Sequence, residues 1–232
     1  MADLSYHEQR GRIEAYFDRT AAAAWARLTS DAPLGRIRTS VRAGRDRMRE
    51  TLLSWLPADM YGMRLLDAGC GTGALATAAA ERGAEVVAVD LSPTLVDLAA
   101  ERLPPELRDR VRFRSGDMLD PSLGVFDHVV LMDSLIHYEP ALAVRALDRL
   151  AARTRSSLLF TYAPRTPLLA AMHAVGRLFP QGDRAPAIVP VAPPALSQRI
   201  AGTPGLARWQ PQRTRRVASG FYTSQALELG PR

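Results

Sequence analysis

LLDAGCGTGALA, residues 65–76, packs an apolar run, an acid and closely spaced glycines into one strand-to-helix turn. Upstream, MRLLDAG reads as a buried strand ending at Gly69. Downstream, TGALATAAAERG repeats its apolar residues at helical period and stops at Gly83. Glycines at such a turn accept backbone angles that other residues resist, and they let a ligand approach the main chain without meeting a Cβ. Gly69-x-Gly71-x-x-Ala74 formally satisfies the dinucleotide fingerprint, with Asp90 at a distance downstream that suits a ribose. Two details point elsewhere. Asp67 sits at the end of the first strand, where a carboxylate repels a pyrophosphate and suits a cation. The glycines also recur as G-C-G-T-G, with Gly73 following Gly71.

The alternation continues outward. EVVAVDLS is a second strand. TLVDLAAERL is a helix with Ser92 as N-cap and Pro93 in its first turn. VRFRSGDM, FDHVVLMD and SSLLFTYAP are further strands, and ALAVRALDRLAART is a helix between the last two. Strands alternating with helices predict a parallel sheet covered on both faces. At the end, ARWQPQRTRRVASGFYTSQALELG reads as two strands turning near Gly220, the first poorly paired at Pro211. The expected α/β fold is a mostly parallel seven-stranded sheet with an antiparallel C-terminal strand. It divides into an N-terminal helical cover (1–58), an α/β core (59–164), a helical and proline-rich cover (165–206) and closing strands (207–232). The second cover opens with an apolar helix bearing Leu168, Leu169, Met172, Leu178 and Phe179.

The chain has 232 residues, 47% of them hydrophobic and 23% charged, ordinary values for a globular protein. No apolar run reaches the roughly 18 residues of a membrane span, and MADLSYHEQRGRIEAYF lacks a secretory signal's apolar stretch. The cytoplasm is the expected compartment. One cysteine, Cys70, excludes an internal disulfide and a multi-cysteine zinc site. The formal charge is +6, and all 30 basic residues are arginine. A basic face of this kind suits nucleic acid, an anionic membrane surface or a substrate bearing carboxylates.

D-A-G-C-G-T-G closely resembles the glycine turn of the S-adenosylmethionine-dependent methyltransferases, whose Rossmann-like fold matches the expected alternation. The resemblance assigns Asp67, Gly69, Gly71 and Gly73 to the cofactor turn, with Asp90 and its neighbour Leu91 at the ribose. Asp117 reads the adenine amino group, Met118 packs beside the ring, and Met132 and Asp133 follow the fourth strand. Base methyltransferases carry an Asn/Asp-Pro-Pro-aromatic motif after that strand. Here the chain has MDSLIHY, residues 132–138, which disfavours a nucleic-acid substrate.

MDSLIHY is instead similar to the L-D-x-L-I-H-Y motif of the magnesium-protoporphyrin IX O-methyltransferases of chlorophyll and bacteriochlorophyll synthesis. YFDRTAAAAWARL, VRAGRDRMRETLLSWL, FTYAPRTPLLAAMHAVGRLFP and SGFYTSQALEL resemble further blocks of that family, in covers and core alike. The resemblance implies methyl transfer to a propionate of magnesium protoporphyrin IX, with magnesium arriving only in the substrate and no protein metal site. His137 is the expected catalytic group, holding the carboxylate; ligation of the magnesium and a purely structural role stay open beside it. Tyr16, Trp25, Arg42, Tyr138 and Arg165 are the expected substrate contacts, with Arg42 or Arg165 meeting the second propionate. Thr29 replaces a tyrosine of plant and cyanobacterial relatives, and Arg165 replaces a lysine. The resemblance further implies contact with the porphyrin-binding subunit of magnesium chelatase, and the basic surface suits peripheral membrane attachment. Another small-molecule O-methyltransferase, acting on a quinone precursor, and a non-catalytic porphyrin carrier are the alternatives.

Overall fold

The computed structural model describes residues 2–16, 18, 27–29, 35–165 and 187–232. The helix expected at the start of the second cover, with His173, therefore lies outside the described residues, as does Trp25.

Seven strands form one sheet in the order β3-β2-β1-β4-β5-β7-β6. They are β1 (Arg64–Ala68), β2 (Glu85–Asp90), β3 (Val111–Ser115), β4 (Phe126–Leu131), β5 (Thr154–Tyr162), β6 (Trp209–Ser219) and β7 (Tyr222–Pro231). The first five run parallel, and β7 enters antiparallel beside β5. The central strands carry near-continuous Val, Leu and Ala because both faces are covered. β7 is reached from β6 through the turn at Gly220, whose φ of 56° favours glycine. The β6–β7 register slips between Pro211 and Thr214, at the proline that cannot donate to the ladder.

The helices are α1 (Ala2–Tyr16), α2 (Arg36–Trp55), α3 (Ala74–Glu81), α4 (Pro93–Arg102), α5 (Pro140–Ala151) and α6 (Pro193–Ala201). Ser92 caps α4 as expected, its hydroxyl accepting from the Leu95 N–H. On one face of the sheet, Met48 and Leu52 of α2 and the alanines of α3 pack over Leu65, Val130 and Leu159. On the other, Leu142, Ala146, Leu147 and Leu150 of α5 pack over Leu66, Val129 and Leu158, joined by Leu196 and Ile200 of α6 and by Tyr6 and Ile13 of α1. Part of the N-terminal stretch is thus built into the sheet's packing. At α2, a Cβ on Gly44 would come within 2.5 Å of the Tyr222 ring, so glycine allows this helix to close on β7. No helix among the described residues is long and apolar enough to cross a membrane.

The strand order reverses between β1 and β4. A doubly wound sheet opens its crevice at such a point, beyond the carboxyl ends of the strands.

Candidate active site

The acids singled out in the sequence gather in that crevice. β1 delivers Asp67, β2 Asp90, the loop after β3 Asp117 and the loop after β4 Met132 and Asp133. The glycine turn is held in left-handed backbone, with φ of 87° at Gly69, 53° at Gly71 and 79° at Gly73. A Cβ on Gly69 would strike Ser134 at 2.4 Å. Gly71 donates its N–H to Asp90 at 2.8 Å, and Ser92 donates to the other oxygen of that carboxylate at 3.0 Å. Burial nonetheless pushes the Asp90 carboxyl upward from its ordinary value. Gly73 lines neither of the cavities described below. A Cβ there would meet Phe113 and Ala99 at 2.9 and 3.0 Å, so its place is steric, bringing α3 against its neighbours.

Asp67 is almost wholly buried, with 1% of its surface exposed. The Ala76 backbone N–H bonds its carboxyl, yet Oδ2 has no hydrogen-bond partner. Burial first, and the Asp90 charge second, push it up to about 7. A buried, half-satisfied carboxylate is costly to a fold and calls for a cation or donor. The ammonium of an amino-acid moiety fits that need, and S-adenosylmethionine carries one. The residues present therefore fit the cofactor. Cys70, in the same turn, has its thiol pushed upward by burial, which makes it a turn residue rather than a nucleophile.

Two cavities adjoin at Gly69, Arg45 and Met132. The first is lined by Asp90, Leu91, Asp117, Met118, Asp133 and His137, among others. The second, of about 280 Å³, is lined by Asp67, Cys70, Thr72 and Arg42. Helix α1 lies across the first. Tyr6 donates its hydroxyl to Asp117 Oδ1 at 2.9 Å, Arg10 meets Oδ2 at 3.2 Å, and the Gln9 amide donates to the His137 carbonyl oxygen. Tyr6 also stacks on Tyr138, ring centroids 5.6 Å apart. Burial pushes both phenols well above their ordinary range, so both stay neutral. Asp117, expected to read adenine, is thus also the seat of α1.

Asp133 is the one non-glycine described residue with positive φ, 55°. Its carboxylate accepts from Arg45 at 2.7 Å, Thr161 at 3.0 Å, Tyr222 at 3.1 Å and Ser224 at 3.2 Å. Its backbone N–H donates to the Thr161 hydroxyl oxygen at 2.7 Å. This carboxylate ties α2, β5 and β7 to the loop that carries His137, in the turn Leu135–His137.

The expected substrate contacts disperse. Tyr138 lines the first cavity. Arg42 donates to the Leu28 and Arg27 carbonyls at 2.8 and 3.0 Å and faces the Asp67 cavity. Arg165 is exposed, its backbone N–H bonded to the Val191 carbonyl at 2.9 Å. Tyr16 lines a separate groove, which shares His137 and Ile13 with the first cavity. His128 is a core residue, its Nδ1 2.7 Å from the Ser157 hydroxyl. Among the described residues no cluster of His, Cys, Asp and Glu could hold a metal ion.

Residues 65–157 match the family described as a methyltransferase domain, and with the sheet order above they define a methyltransferase of Rossmann-like fold. Residues 131–231 match the family described as the magnesium-protoporphyrin IX methyltransferase C-terminus. The chain is 51% identical to the magnesium-protoporphyrin O-methyltransferase of Rhodobacter capsulatus, over 97% of this chain and 98% of that one. It is 29% identical to the protein of the same name from Synechocystis, over 93% and 94%. The crystal structure of magnesium protoporphyrin IX methyltransferase from Synechocystis PCC 6803 with bound SAH superposes with a TM-score of 0.84. It shares 26% identity and covers 96% of this chain and 99% of that one. The chain belongs to the magnesium-protoporphyrin O-methyltransferase family.

Proposed function

We propose that the chain transfers a methyl group from S-adenosylmethionine to one propionate carboxylate of magnesium protoporphyrin IX, giving the monomethyl ester. The cofactor supplies an electrophilic methyl on a sulfonium. In this reading Asp67 takes the ammonium, Asp90 the ribose hydroxyls, and Asp117 the adenine edge with Met118 beside it. The acceptor needs no general base, because a propionate, with a pKa of about 4.3 like a Glu side chain, is already ionised at neutral pH. What the chain must do is strip water from the carboxylate and hold one oxygen in line. Positioning of that kind supplies roughly 7–11 kcal/mol in favourable cases.

His137 is the positioning group. The observation that supports this role is that His137 lines both the first cavity and the neighbouring groove. Its ring donates to the non-attacking oxygen. Asp133 fixes the loop beneath it. The same reading has magnesium protoporphyrin delivered by the porphyrin-binding subunit of magnesium chelatase, to a chain whose +6 charge suits an anionic membrane surface.

The test is turnover of methyl-labelled S-adenosylmethionine with magnesium protoporphyrin IX and with the metal-free ring. Label in an ester of the magnesium form supports the reading; two unlabelled porphyrins with the cofactor still bound would overturn the acceptor alone. His137→Ala should lower kcat about 10²–10³-fold, the scale of one well-placed donor, and leave the Kd for S-adenosylhomocysteine within twofold.

A further inference from the structure

The groove on the far side of His137 has a chemistry of its own. One face of α1, the first turns of α5 and the segment around Val189 border a volume of about 700 Å³. That lies within the range of small-molecule sites, roughly 300–1,000 Å³. Ile13, Leu142 and Val189 make its walls apolar, and Tyr16 adds an aromatic face. Arg12 from α1 and Arg145 from α5 stand on it from opposite elements, both exposed. Arg145 lies one helical turn beyond Ala141, also in the groove, and its Nε reaches the Ala141 carbonyl only at 3.4 Å. Neither guanidinium has an ion pair among the described residues.

Glu8 and Glu139 line the groove as well, so its net charge is balanced. A small anion gains little from such a place. The groove favours a ligand that brings apolar surface and a carboxylate matched to a guanidinium fork, which binds such groups bidentately. The two arginines expected to do this from the sequence are placed differently: Arg42 is bonded to main-chain carbonyls beside Asp67, and Arg165 lines none of the cavities described.

We infer that this groove seats the ring of the substrate, with Arg12 and Arg145 holding the carboxylate that is not methylated while the other reaches His137. The inference rests on the proposed acceptor and adds which residues read it. It makes the enzyme selective for dicarboxylic rings: the spectator carboxylate sets the angle at which its neighbour enters the reaction.

Steady-state kinetics on Arg12→Ala, Arg145→Ala and the double variant provide the test, using magnesium protoporphyrin IX and a magnesium porphyrin carrying a single propionate. Each single variant should raise KM for the diacid about tenfold, the scale of one charge-assisted hydrogen bond. The double variant should raise it further and lose preference for the diacid over the monoacid. Arg145→Lys should recover part of the loss. Calorimetry with S-adenosylhomocysteine should give the same Kd for all variants, which guards against misfolding. An unchanged KM in the double variant, or the same loss produced by Arg42→Ala instead, would overturn the assignment. If wild type transfers no methyl to either porphyrin, the acceptor itself is wrong, and that failure shows before any variant is made.

Discussion

Asp67 near the end of β1 and Asp133 just after β4 lie at the same end of the sheet, on adjacent strands, and the protein treats them in opposite ways. Around Asp133 it converges Arg45, Thr161, Tyr222 and Ser224, so that the carboxylate is saturated by the chain's own donors. Around Asp67 it leaves Oδ2 without a donor in a nearly water-free position. One carboxylate organises the fold; the other holds binding capacity for something the fold does not contain. Proximity to a crevice therefore says little about a residue's work until its donors are counted.

The contrast can be broken experimentally, beginning with the saturated acid. Asp133→Asn keeps the shape and tolerates the positive φ, but it removes the charge that pairs Arg45. It should cost about 3–5 kcal/mol in denaturant unfolding, the scale of breaking one side of a buried ion pair. Catalysis should fall with it as the His137 loop loosens. Asp67→Asn should do the reverse: the ligand-free protein becomes more stable, while S-adenosylhomocysteine binds about 2–3 kcal/mol more weakly by calorimetry.

Titration sharpens the same point. Asp67 holds its proton up to about pH 7 in the folded chain against an ordinary value of 3.8. Between these values the folded state binds a proton that the unfolded state has released. Its contribution to stability is therefore full below about pH 4 and is lost as pH rises through about 7, at up to about 1.4 kcal/mol per pH unit. Ligand-free melting temperatures should follow that slope and lose it in Asp67→Asn. Cofactor affinity should run the other way and strengthen through pH 7, because in the proposed reading the ionised form is the one that binds the ammonium. The smallest effect is expected at Tyr6→Phe, which removes one hydrogen bond to Asp117. About 1 kcal/mol of α1 seating should disappear, seen as faster amide exchange in that helix.

Much of this site could be read from the sequence because its signals are local. A glycine turn after an apolar run, with acids at successive strand ends, is written in consecutive residues. The alternation of strands and helices likewise gave the sheet. The partners of those acids are a different matter. Tyr6 reaches Asp117 across 111 positions and Arg45 reaches Asp133 across 88, and no periodicity encodes either meeting. Arg42 and Arg45 belong to one basic run, yet a single helical turn sends the first to main-chain carbonyls and the second to a buried carboxylate. Gly73 looks like a cofactor glycine because of its neighbours in the motif; Phe113, packed over it, is 40 residues away in the chain. Tertiary closeness, such as the approach of α2 to β7 at Gly44, is where sequence pattern stopped informing.

The strand that closes the sheet has a consequence for how copies of the molecule behave toward one another. β6 is outermost, and from Gln210 to Arg216 every residue is exposed. An open strand of that length is a template on which a second chain can add by main-chain pairing. Pro211 removes a donor from the row, the slip beside it interrupts the ladder, and Arg215 and Arg216 charge it with one sign, Arg213 being paired with Glu228. Two such borders repel before they can zip together. That protection weakens as salt screens charge, so self-association through this border would grow with ionic strength, opposite to the salt response of contacts held by ion pairs.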